Sequence, residues 1–189
     1  MKPKPDNQLF TTNYQKVLGF LVSHPSREYM ESEVREATGV SRAGTNNALR
    51  ALVADRFVEL EKKGRLSLFT IDLQNPMIRQ LKVLINLSEI DDLVSSLRKM
   101  SNKVVLFGSA ASGTDAEDSD IDLFVLSDDP EHVRSAAAKH SGERHIHLVV
   151  SQPLDYIASQ KKAHIFYDEV SRGIVVHEHK PCQMNLTRV

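Results

Sequence analysis

Cys182 has no second cysteine to pair with anywhere in the 189 residues, so no disulfide forms within the chain. That excludes the disulfide frameworks of small secreted domains. Also missing is any apolar run near the roughly 18 residues that a bilayer span requires. The opening Met1-Lys2-Pro3-Lys4-Pro5 is a polar tail rather than a signal peptide. The expectation is a cytoplasmic protein with no membrane partner. Net charge is nearly absent, −1 at pH 7, so the chain lacks the global electrostatic footprint of a tight nucleic-acid binder. There is no internal repeat and no low-complexity tract. What the chain does have is 41% apolar residues, enough for two small cores or one larger one, and two is the expectation.

The densest chemistry lies between residues 104 and 123. Four apolar residues, Val104-Val105-Leu106-Phe107, read as a short buried strand ending at Gly108, with Ser109 placed to cap a following helix. Unpaired backbone N–H groups at such a turn attract phosphate, and a glycine lets an anion approach the backbone. A second strand is expected over Ile121 to Leu126. There Asp120 and Asp122, two residues apart, fall on one face at roughly 6.6 Å along the chain. Two carboxylates so spaced can share a hard cation, which completes its shell with water and phosphate oxygens. Ile121, Leu123 and Val125 face the core.

This stretch resembles the DNA polymerase beta-like nucleotidyltransferase superfamily, in its minimal nucleotidyltransferase branch, whose pattern is Gly-Ser, a spacer, then Asp-x-Asp. Gly108, Ser109, Asp120 and Asp122 match residue by residue, and Gly113 and the block Ser119-Asp120-Ile121-Asp122-Leu123 fit as well. The resemblance implies that Gly108, Ser109 and Ser119 bind the nucleotide, with ATP as donor, and that Asp120 and Asp122 hold Mg²⁺ or Mn²⁺. Two positions depart from the pattern. An arginine common before the spacer glycine is replaced by Ser112. The third carboxylate of the family, implied for the next strand, is replaced by His147 within Arg144-His145-Ile146-His147-Leu148-Val149-Val150. A neutral imidazole can serve as a general base, and it suits Mn²⁺ or Zn²⁺ better than Mg²⁺. His145 shares a face with His147 and reads as part of a half-exposed strand. A helix and closing strand are expected between Ala163 and Val176.

Residues 13–75 carry a separate pattern. Helices are expected over Tyr14 to Val22 and from Ser32 as N-cap through Val34 and Ala37. The turn Thr38-Gly39-Val40-Ser41 leads to a third helix, capped by Ser41, with Ala48, Leu49 and Leu52 inward. A strand over residues 56–61, a turn at Lys62-Lys63-Gly64-Arg65 and a strand from Leu66 to Ile71 follow. This order resembles a winged helix-turn-helix domain. On that reading Arg42, Asn46, Asn47 and Arg50 face the major groove of double-stranded DNA, and Lys62, Lys63 and Arg65 contact phosphates. Residues 1–76 hold 11 Lys and Arg against 9 Asp and Glu, the remainder 13 against 16, so DNA binding would rest on a local stripe.

Asn75-Pro76 is a helix start in which Asn caps and Pro occupies the first turn. The helix is expected to run from Met77 to about Met100, with Ile78, Leu81, Ile85, Ile90, Leu93, Leu97 and Met100 as an apolar stripe. It is expected to join the two domains and to pack on one of them, and a homodimer seam is a second use of the stripe.

The fold class expected is therefore α+β. Residues 1–12 form a polar tail, 13–75 a winged helix domain, 76–100 a connecting helix, 101–179 a small mixed-sheet nucleotidyltransferase domain with flanking helices, and 180–189 a C-terminal tail. The expected function is transfer of a nucleoside monophosphate, AMP from ATP, to an acceptor hydroxyl on a protein, as in antitoxins that modify a toxin partner. The alternative is a transcriptional regulator whose nucleotide-binding domain is catalytically degenerate.

Overall fold

The computed structural model describes residues 9–142, 144–159 and 164–179. The expected C-terminal tail and most of the N-terminal one lie outside them. The described chain is α+β, with two small sheets.

Helix α1 (Asn13–Ser23) begins at a capping box. The Thr12 hydroxyl accepts from the Gln15 N–H at 3.2 Å, and the Gln15 side chain accepts from the Thr12 N–H at 3.1 Å. It buries Val17, Leu18, Leu21 and Val22. Helix α2 (Glu31–Thr38) starts earlier than a Ser32 cap would allow. Met30 is its N-cap, and the Glu33 carboxylate, reaching back to the Met30 N–H at 2.8 Å, does the capping. Helix α3 (Arg42–Ala54) is capped by Ser41 as expected, through the Gly44 N–H at 3.2 Å. Strands β2 (Val58–Lys63) and β3 (Leu66–Ile71) form a hairpin. The turn is only Gly64-Arg65, because Lys62 and Lys63 pair with Ser67 and Leu66 and so belong to β2. The two-residue strand β1 (Tyr29–Met30) joins the other edge of β3. One core holds α1, α2, α3 and this sheet together.

Helix α4 (Pro76–Leu97) opens with the Asn75 side chain accepting from the Met77 N–H at 2.9 Å and Pro76 in the first turn. It ends at Leu97, short of Met100. Its apolar positions divide between two cores. Ile78 and Ile85 join the first, and Ile90, Leu93, Val94 and Leu97 join the second. Those stripe positions are therefore covered within the chain.

The second core lies against a sheet ordered β6-β5-β4-β7. Its elements in chain order are β4 (Lys103–Phe107), α5 (Gly108–Ser112), β5 (Ile121–Leu126), α6 (Pro130–Ala137), β6 (Ile146–Ser151), α7 (Pro153–Ser159), α8 (His164–Ser171) and β7 (Ile174–Glu178). Strand β4 runs antiparallel to β5 and β7, and β5 runs parallel to β6. One face, with Val104, Leu106, Ile121, Leu123 and Val125, packs against α4 and α6. The other carries Val105, Phe107 and Phe124 under Tyr156, Phe166 and Tyr167 of α7 and α8. Among the described residues no helix is long and apolar enough to cross a membrane.

Candidate active site

The site forms at one end of the second sheet, where β4 stops and β5 and β6 begin. Helix α5 starts at Gly108 itself with Phe107 as N-cap, so Ser109 lies inside the first turn and does not cap it. The reason is the backbone of Gly108, at φ +69°, a conformation open to glycine. It breaks the strand one residue before a serine cap could act. A Cβ on Gly108 would come within 2.5 Å of Asp122 Oδ2. The absent side chain is what lets that carboxylate lie against the turn.

Asp122 is the second residue of β5 and Asp120 immediately precedes the strand. Because β5 and β6 are parallel with Asp122 opposite His147, the two imidazoles meet the two carboxylates. His147 Nδ1 lies 2.7 Å from Asp122 Oδ1, and His145 Nδ1 lies 3.3 Å from Asp120 Oδ2. Asp122 thus turns one oxygen to His147 and the other to the Gly108 turn. His147 stands where the sequence places it, and His145, read only as a half-exposed strand residue, is the site residue that reading missed. The signal was the matched i, i+2 spacing of the two pairs, which becomes informative only once the strands are known to be parallel and in register. Ser119 is turned inward, its hydroxyl accepting from the Ala116 N–H at 3.0 Å, so it shapes the loop leading to Asp120.

Among the described residues no group of three or more His, Cys, Asp and Glu side chains converges to hold a metal. Two carboxylates beside the Gly108 turn nevertheless suit a hard divalent cation, which is commonly held by one or two carboxylates together with substrate phosphates and water. Asp120 and Asp122 are the residues able to hold it.

The seven DNA-facing candidates separate in the structure. Arg42, Asn47 and Arg50 are exposed along one side of α3. Asn46 is half-buried, its amide donating to the Arg42 carbonyl at 2.9 Å. Lys62 and Arg65 are exposed. Lys63 contacts both Glu28 carboxylate oxygens at 2.9 Å and Glu61 at 3.4 Å. Those partners hold its pKa above the ordinary lysine value, Glu28 contributing most.

In this part of the molecule the first strand of a mixed sheet ends in a glycine turn and the next strand carries an Asp-x-Asp at its start. Residues 87–179 match the family model described as Nucleotidyltransferase domain. No curated protein and no solved structure matches the chain. The match begins within α4, and so does the switch of that helix from the first core to the second.

Proposed function

We propose that the protein is a nucleotidyltransferase that moves a nucleoside monophosphate, AMP from ATP, to a hydroxyl on an acceptor protein. The observation that carries this reading is the close approach of Asp122 Oδ2 to the Gly108 turn, which sets a glycine turn with free backbone donors directly beside a carboxylate. Gly108 and Ser109 bind the triphosphate through backbone donors, and Asp120 and Asp122 would orient it through a bound cation. A divalent cation, Mg²⁺ or Mn²⁺, held by those aspartates would neutralise phosphate charge. The acceptor oxygen bonds to the α-phosphorus as the bond to the β-phosphate bridging oxygen breaks and pyrophosphate leaves. With Nδ1–H donating to Asp122, His147 presents Nε2 as an acceptor, the arrangement of a general base taking the hydroxyl proton. Positioning and charge neutralisation supply most of the rate.

The N-terminal helices and hairpin support a winged helix reading, with Arg42, Asn47 and Arg50 toward base edges and Lys62 and Arg65 toward phosphates. Such a module on an antitoxin-like enzyme would let it bind its own operator, a fold-level analogy. One observation favours the second reading, a DNA-binding regulator with a degenerate domain: an imidazole already pairs with each aspartate.

The test is incubation of the full chain with α-labelled ATP and candidate acceptors, including a protein encoded beside it, with Mg²⁺ or Mn²⁺. Label that appears with metal and disappears in Asp120→Asn supports transfer. ATP binding without label, together with operator binding lost in Arg50→Ala, supports the regulator.

A further inference from the structure

A buried ionic cluster lies on the sheet face opposite the two aspartates. Asp115, in the loop between α5 and Asp120, has a fully buried side chain. Its carboxylate receives Arg144 Nη1 at 2.5 Å and Asn86 Nδ2 at 2.8 Å, with Lys82 Nζ at 3.5 Å. Arg144 also donates to Glu89 at 3.1 Å and to Asn86 Oδ1 at 2.9 Å. Lys82, almost completely buried, donates to the Ser23 carbonyl at the end of α1 at 3.2 Å. Burial depresses the Lys82 pKa, with Asp115 opposing that shift. A cleft of about 510 Å³ opens over the cluster between Ser23 and His24 on one side and Lys139 to Gly142 with Arg144 on the other.

The cluster's members are placed where they can set site geometry. Asp115 fixes the loop that ends at Asp120. Arg144 is the residue before His145, which faces Asp120, and lies three before His147, which faces Asp122. Both are tied to the same two turns of α4. The Asn86 amide also donates to the Ala110 carbonyl of α5 at 2.9 Å. Gly113 lies so close to α4 that a Cβ would meet the Arg79 carbonyl oxygen at 2.2 Å. One helix therefore grips the phosphate turn, the Asp120 loop and the start of β6, while Lys82 ties that grip to the N-terminal core. An apolar cluster would hold the segments together as well or better, but it would not fix their relative register.

We infer that Lys82, Asp115 and Arg144 are positioning residues that set the Asp120–His145 and Asp122–His147 pairs and make them responsive to the N-terminal half. The inference rests on the nucleotidyltransferase reading for its consequence, nucleotide binding, but the geometry it asserts is measurable without that reading. The test uses the full chain at fixed pH, following the imidazole nitrogen signals of His145, His147 and His177 by NMR without metal and ATP affinity by calorimetry with Mg²⁺. In Asp115→Asn and Lys82→Met the His145 and His147 signals should move while those of His177, on β7, stay, and ATP affinity should fall about tenfold. Should Asp115→Asn not fold at the measuring temperature, Arg144→Lys, which keeps the charge but loses the forked contact, takes its place. Folded variants with unmoved His145 and His147 signals would overturn the inference. Moved signals in a protein that never binds ATP would uphold the positioning network while removing the nucleotidyltransferase reading.

Discussion

Gly108 and Gly113 bracket the shortest helix among the described residues, and they are glycine for different reasons. Gly108 takes a left-handed backbone so that Asp122 can lie against it, and the obstacle to a side chain there is a carboxylate that can swing away. At Gly113 the obstacle is the backbone of α4, which cannot. Gly39 and Gly64 share the positive φ but have open space around them. Gly113→Ala should therefore destabilise the fold well beyond the roughly 1 kcal/mol expected of Gly39→Ala or Gly64→Ala, as read by denaturant titration. Gly108→Ala should cost nucleotide binding more than stability. Tyr14 offers a pH test at the same scale. Its phenol is pushed up to about 12 by burial and by its 2.8 Å hydrogen bond to Asp55. The folded chain keeps that proton longer than the unfolded one, so the contribution to stability is intact below pH 10 and is lost as pH rises toward 12. Tyr14→Phe should flatten that alkaline loss in melting curves, and an unchanged profile would count against the contact.

Among elements, α4 does the most. Its first half belongs to one core and its second to the other, so substitutions along it should report on different halves of the molecule. Ile90→Ala or Leu93→Ala should cost about 2–5 kcal/mol, and hydrogen exchange should show the loss in the second sheet first. Removing the Asn75 cap by alanine should cost about 1 kcal/mol. The sequence made this helix legible because Asn-Pro and an apolar stripe are local signals. The same holds for β5, whose bounds match the expectation, and for α3 with its Ser41 cap. What stayed hidden depends on partners distant in sequence. Asp115, Lys82 and Arg144 look like ordinary solvated charges until the fold brings together positions 29 or more apart in sequence. The significance of His145 required the parallel register of β5 and β6. The cap of α2 went to Glu33 rather than Ser32 because a carboxylate three residues on can reach back where the serine could not.

For the whole molecule, the near-zero net charge and the modest N-terminal excess mean that DNA binding, if the winged helix reading holds, runs through a few side chains. Arg50→Ala should weaken binding to an operator with some loss of base preference. Lys62→Ala should weaken it evenly and reduce the salt slope by about 1. Lys63→Ala should matter less, because its ammonium already faces Glu28 and Glu61. Gel-shift titrations across salt concentrations separate the three. The central claim concerns the other half, where Asp122 joins the Gly108 turn to His147. Its most direct test is simultaneous measurement of labelled-AMP transfer and pyrophosphate release by the wild type, Asp122→Asn and His147→Gln, with folding checked in each. The account predicts equal amounts of transferred AMP and pyrophosphate in the wild type, loss of both in Asp122→Asn, and a smaller loss in His147→Gln. Full transfer by folded Asp122→Asn would contradict it.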